Sequence, residues 1–342
     1  MMRAISEANM GRRVGVLALL AVLVVVGVYV STSSGRPSRP ARRAGSAARS
    51  SAARTVRPGA TAAPATSAAP ASAPPAPPPP PRLVVSAPAH VGSPWTTVAR
   101  VHGLPAAWVS EKGGVTLMRF DQALVHLTLH AGSSDGGERG WTYGDRIGPR
   151  EIHSLVAAFN GGFKLTYRDV GFVSGHHVAV PLKAGLASIV TYTNGRTDIG
   201  AWRAGVPRAG TPVFSVLQNQ QLLVDRGAAA ANVDSCVVAC WGETIGSATS
   251  VARSALGISR SGQLIWAAGE QLTPGPLARA LIAAGAVRAI ELDINPFWVA
   301  GYLYPHHPSG PTAVPVVPGQ HGIAGELLEA DSRDFFAIVA NY

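Results

Sequence analysis

Signatures of several common enzyme classes are missing from this chain. It has no Gly-x-Ser-x-Gly elbow, no P-loop, no dinucleotide fingerprint and no His-Glu-x-x-His. Cysteine is nearly absent, at two residues, Cys236 and Cys240, with no histidine beside them. That argues against a zinc site. The pair forms a disulfide staple if the chain turns there, or stays as two buried thiols; the bridge is the expected state. Aromatics reach only 6%. Acidic residues are almost lacking from 1–82, which hold eleven arginines and one acid, Glu7. The net charge of +10 therefore sits in that tail, and 83–342 carries 18 basic and 18 acidic residues. A neutral domain offers no electrostatic footprint for nucleic acid, and no protein partner is inferred.

What is present divides into four parts. Residues 1–13 read as a cytoplasmic N-terminus. Residues 14–30 are uncharged and apolar apart from the Tyr29 hydroxyl. As a helix they span about 26 Å, just enough for a bilayer core. The apolar run exceeds the usual h-region and no convincing small-x-small cleavage site follows it, so an uncleaved anchor is expected over a cleaved signal peptide. Residues 31–82 are Ser, Ala, Arg and Pro, a disordered linker with a stiff proline run. Residues 83–342 form the domain, expected on the extracytoplasmic side of a single-pass membrane protein.

Glycine-punctuated short strands dominate the domain. Residues 187–193 and 196–202 flank Asn194-Gly195, a strong hairpin signal. Further hairpins are predicted at 115–129, 213–225 and 254–268. A short helix is predicted over 149–155. A longer one starts at Pro276, carries Leu277, Ala280, Leu281 and Ala284 on one face, and ends at Gly285. The expected fold class is α+β: one mixed-sheet domain of hairpins with a few packed helices.

Two stretches stand out. In Ala289–Pro296 the apolar side chains Ile290, Leu292 and Ile294 alternate with Glu291, Asp293 and Asn295. Two carboxylates and an amide on one face make either a wet surface or the floor of a site. In Val156–Lys164, a small-residue strand runs into Asn160-Gly161-Gly162, where the backbone can approach a ligand closely. Lys164 follows, one of three lysines in 83–342. Two adjacent histidine pairs, His176-His177 and His306-His307, sit in loops. Glu291, Asp293 and Asn295 with a histidine would suit a hard cation. No metal spacing is present, so no cofactor is expected and a divalent cation remains the alternative. Trp241, Trp266 and Trp298 serve either as core or as platforms for sugar rings.

Taken in order, AAFNGGF at 157–163, VARSALGIS at 251–259 and GPLARALIAAGAVRAIELD at 275–293 resemble the phosphodiester glycosidase family, and QNQQLLVDRG at 218–227 looks like that family's loop before the arginine strand. The likeness covers roughly 110–300. It departs where Ile294-Asn295-Pro296-Phe297 replaces Gly-Gly-Gly-Ser, and where Ala268-Gly269-Glu270 replaces an Asp-Gly.

The resemblance implies a hydrolase that cleaves a glycosyl phosphodiester in an envelope glycan or glycolipid. Asp293 would be base or nucleophile, with Glu291 or Glu270 as its partner. Arg253, backed by Lys164, would hold phosphate. Asn160 with Gly161 and Gly162 would orient the sugar, with Asn295 and His176 nearby. The other reading is a non-catalytic carbohydrate- or envelope-binding module on the same fold.

Overall fold

The computed structural model describes residues 82–341, apart from 135–139 and 169. Within it Asn194-Gly195 turns strand Ala187–Tyr192 onto Thr197–Ala201. The Ser259–Gly262 turn likewise returns Val251–Ser259 onto Leu264–Leu272. Gly195 and Gly262 take φ values of +82° and +87°, which glycine adopts without steric penalty.

The other two predicted hairpins do not form. Val115–Phe120 pairs with Leu104–Lys112 and Leu264–Leu272, whereas Val125–His130 pairs with Phe335–Ala340. Val213–Gln218 joins Ala187–Tyr192 and Phe172–Ser174, whereas Leu222–Asp225 joins Ala286–Glu291. In each case neighbouring strands enter different sheets. The predicted helix at 149–155 is a run of turns, with Glu151 and Ile152 both donating to Gly148 O. So short a segment is marginal as a helix. Its Glu151 side chain bonds instead to Thr128 and His130.

The α+β, mixed-sheet expectation is therefore corrected. Every pairing between strands is antiparallel. Strand outweighs helix by 42% to 10%, so the domain is mostly β. A nine-stranded sheet runs in the order Leu83–Val85, Thr96–Val101, Leu104–Lys112, Val115–Phe120, Leu264–Leu272, Val251–Ser259, Ala286–Glu291, Leu222–Asp225, Ala228–Ala229. Among the described residues, two five-stranded sheets and a two-stranded one complete it. The span expected at 14–30, and all but the last residue of the linker, lie outside the described residues. Among the described residues no helix is long and apolar enough to cross a membrane.

The large sheet is buried on both faces, which explains its near-continuous apolar strands. Met118, Leu256, Trp266 and Ile290 enter the core shared with the five-stranded sheets. Their neighbours Leu117, Ala255, Ile265 and Ala289 pack under helix Pro274–Ala283 through Leu277 and Leu281. Phe159 from a five-stranded sheet stacks on Trp266, 5.5 Å between centroids. Gly301 lies against the Trp266 ring, where any side chain would collide. Each such aromatic contributes about 1.5–3 kcal/mol by burial. The helix ends before Gly285, at φ +97°, and the chain returns as Ala286–Glu291.

Candidate functional site

Asp293 lies two residues past the end of strand Ala286–Glu291. Leu292 and Asp293 still hold the register, since Leu292 N–H donates to Ser254 O (2.8 Å) and Ser254 N–H to Asp293 O (3.0 Å). Asn160 ends the strand Leu155–Asn160 in a neighbouring sheet. Its amide donates to Ser254 Oγ (2.8 Å) and Gly161 O (2.9 Å). Ser254 thus ties the Asn-Gly-Gly segment to the Asp293 segment, although they are far apart in sequence.

The strand places its two carboxylates in unlike surroundings. Glu291 is sealed inside. Its Oε1 accepts from Arg253 Nη1 at 2.7 Å, and the two side chains are 4% and 0% exposed. Arg253 also donates to Leu272 O (3.0 Å) and Trp241 O (2.9 Å). Burial pushes the Glu291 carboxyl up to about 7, against the opposing pull of Arg253.

Asp293 instead lines an open cleft of about 510 Å³, with Lys164, Tyr167, Glu243, Trp298 and Arg333. Its Oδ1 accepts from the N–H groups of Ile294 (2.7 Å) and Asn295 (2.9 Å). Its Oδ2 accepts from Arg333 Nη2 (3.0 Å). Burial raises the Asp293 carboxyl above its ordinary range, while Arg333 and the two backbone donors pull it back. A carboxylate has about four acceptor sites; three hydrogen bonds leave Oδ2 able to take a proton.

Arg333 was not singled out by the sequence. Besides Asp293 it donates to Gly162 O (2.9 Å), and its guanidinium lies 5.2 Å from the centroid of the Trp298 ring. The short segment Asp331–Asp334 carries it. Asp331 Oδ1 accepts Arg333 N–H (2.8 Å), and Asp334 Oδ2 accepts Gly162 N–H (2.9 Å). A side chain on Gly161 would collide with the Asp334 carboxylate. The close approach that the two glycines permit is taken by the protein's own carboxylate. A visible signal was present: Asp-Ser-Arg-Asp directly before the apolar strand Phe335–Ala340. Charge packed against a buried strand is rarely left unused.

The remaining candidates divide plainly. Asn295 and Lys164 line the cleft. Asn160, Gly161 and Gly162 lie beneath it, around a small void that Asp293 and Arg333 also line. Arg253 and Glu291 do not line the cleft, because each is committed to the other in the interior. Glu270 belongs to a different cleft beside Glu111 and Gly114, where burial raises its carboxyl and His321 opposes that rise. His176 is exposed in the turn between Phe172–Ser174 and His177–Val180 and does not line the Asp293 cleft. Trp241 and Trp266 are core; Trp298 alone of the three faces the cleft. Phe297 is 65% exposed and is not among the residues that line the Asp293 cleft. Cys236 and Cys240 are joined by a disulfide, with Cα atoms 5.4 Å apart. Among the described residues no cluster of three metal-ligating side chains forms.

No protein-family model matches this chain, and no curated protein sequence does. Several solved structures are similar at a distance, two of them as follows. One is the catalytic domain of zebrafish N-acetylglucosamine-1-phosphodiester alpha-N-acetylglucosaminidase, auto-inhibited by its pro-peptide. It is 13% identical, with 77% of this chain and 83% of that one covered and a TM-score of 0.43. The other is a hypothetical protein from Synechocystis, 12% identical, covering 73% of this chain and 64% of that one at a TM-score of 0.42. Scores this low make it a distant likeness only.

Proposed function

We propose that this domain hydrolyses a glycosyl phosphodiester in the Asp293 cleft. The observation that carries the reading is the juxtaposition of one carboxylate, one guanidinium and one indole. Asp293 Oδ2 and Trp298 both adjoin Arg333 in an open cleft. A sugar ring stacks on an aromatic face, a phosphate pairs with a guanidinium, and a carboxylate activates water.

In this reading Asp293 takes a proton from water as its oxygen attacks the anomeric carbon. The bond from that carbon to the phosphate oxygen breaks, and the electron pair leaves with the phosphate. The products are a free sugar and a phosphomonoester. Arg333 stabilises the leaving phosphate, with Lys164 also lining the cleft. Arg333 thereby takes the role first expected of Arg253. Glu243 is the other carboxylate among the described residues that line the cleft.

A specific observation favours the second reading, a binding module without turnover. Asp293 already accepts three hydrogen bonds, and neither Glu291 nor Glu270 reaches the cleft. Incubating the full-chain protein with a panel of sugar-1-phosphodiesters separates the two. Release of free sugar supports the hydrolase. Saturable binding of the same compounds without release supports the module and overturns the hydrolase.

A further inference from the structure

A second concave site lies at the far end of the same strands. The turns at Asn194-Gly195 and Ser259–Gly262 come together there beside the start of strand Ala286–Glu291. The cleft between them holds about 120 Å³, and Arg196, Arg208, Arg260 and Arg288 line it. Asp198 is the one carboxylate among the lining residues. It accepts from Arg288 Nη2 (3.0 Å) and Arg208 Nη2 (3.5 Å). Arg196 and Arg260 make no ion pair among the described residues. Four guanidiniums around one carboxylate leave a local excess of positive charge that would attract an anion.

The site is built rather than incidental. Gln122, 6% exposed, fastens the two turns together. Its Nε2 donates to Thr197 O (3.0 Å) and Gly262 O (2.6 Å), and its Oε1 accepts Thr197 N–H (2.6 Å). Arg196 Nη2 passes 3.0 Å from where a Gly262 side chain would start, and Arg288 Nη1 passes 2.9 Å from the corresponding point on Gly200. Both glycines leave room that a side chain would fill. Arg288 and Asp293 are five residues apart on one extended segment, roughly 17 Å, so the two clefts are distinct.

We propose that this arginine cleft is a second ligand site that takes a phosphate group. Its volume is below that of pockets for drug-sized ligands, so it accommodates one compact anion. Guanidinium forks from several elements suit a tetrahedral oxyanion with three or four acceptor oxygens. A carboxylate, with two oxygens, would engage only one fork in bidentate fashion. The group that fits is a terminal phosphomonoester, with three free oxygens, or free phosphate, with four; a diester within a chain keeps only two. The site does not depend on the reading of the Asp293 cleft.

The test is titration of the full-chain protein with inorganic phosphate and with dimethyl phosphate, followed by calorimetry, at ionic strength matched with sodium chloride. Arg196→Glu/Arg260→Glu is the comparison. Both residues are exposed and unpaired, so the unfolding temperature without phosphate should stay put. The proposal expects saturable binding that weakens at least tenfold in the variant. Inorganic phosphate binding at least tenfold tighter than dimethyl phosphate supports a group with three or four free oxygens, and equal or tighter binding of dimethyl phosphate overturns it. Equal titration of wild type and variant, or equal heat from chloride alone, overturns it.

Discussion

Two acid–arginine pairs sit two residues apart on one segment and do different work. Glu291–Arg253 is closed off beneath helix Pro274–Ala283 and Trp241, with side chains 4% and 0% exposed. Asp293–Arg333 forms the edge of a cleft, with side chains 6% and 11% exposed. Alternation alone would put both carboxylates on one functional face. What separates them is their surroundings. The first acid is covered by packed strands and a helix, and the second lies just past the strand end, where the chain opens. The first pair belongs to the account of stability, the second to the account of chemistry.

The largest effect that could break this comparison is on stability. Arg253→Met removes the partner of a buried carboxylate and strands the carbonyls of Leu272 and Trp241. Urea unfolding at neutral pH should show a loss of about 3–5 kcal/mol. A loss under 1 kcal/mol would mean that the closed pair is not structural.

Arg333→Gln probes the open pair. Turnover should fall by roughly 100-fold, the usual result of removing one transition-state donor. Arg333 also lowers the Asp293 carboxyl, so its removal should move the acid limb of the pH–rate profile to higher pH. A fall in rate with an unmoved limb would remove Asp293 as the group titrating there.

The pairs should also differ in how pH acts on them. Glu291 rises from 4.5 in the unfolded chain to about 7 in the folded one. Between those values the folded state holds a proton that the unfolded state has released. Its contribution to stability is therefore full below about pH 4.5 and is lost as pH rises through about 7. Glu291→Gln, which cannot titrate, should flatten that slope in thermal unfolding; an unchanged slope would assign it elsewhere.

The smallest effect is at the indole. Trp298→Ala should raise KM for a glycosyl phosphodiester about fivefold, equivalent to about 1 kcal/mol of stacking. An unchanged KM would place the sugar away from Trp298.

Local signals in the sequence carried part of this structure. Asn194-Gly195 and Ser259–Gly262 marked hairpins because their turns are set by their own residues. The helix ending before Gly285 was legible from its spacing. Asp121-Gln122 misled because its flanking strands find their partners far away, at Leu264–Leu272 and Phe335–Ala340. Gln122 itself is drawn inward to join two other turns. The segment holding Asp293 was visible as an alternation of apolar and polar side chains. That Glu291 would pair with Arg253 in the interior, and Asp293 with Arg333 at the wall of a cleft, was not visible, because helix, strand and loop decide it together. Arg333 lies forty residues from its partner and becomes a site residue only when Phe335–Ala340 inserts beside Leu155–Asn160.

The most direct test compares sugar release from a sugar-1-phosphodiester by wild type and Asp293→Asn at neutral pH. A positioned base is worth about 10²–10⁴ in rate. Release by the wild type that falls at least 100-fold in the variant, with both proteins folded by circular dichroism, is the predicted result. Equal release by the two proteins would contradict the account.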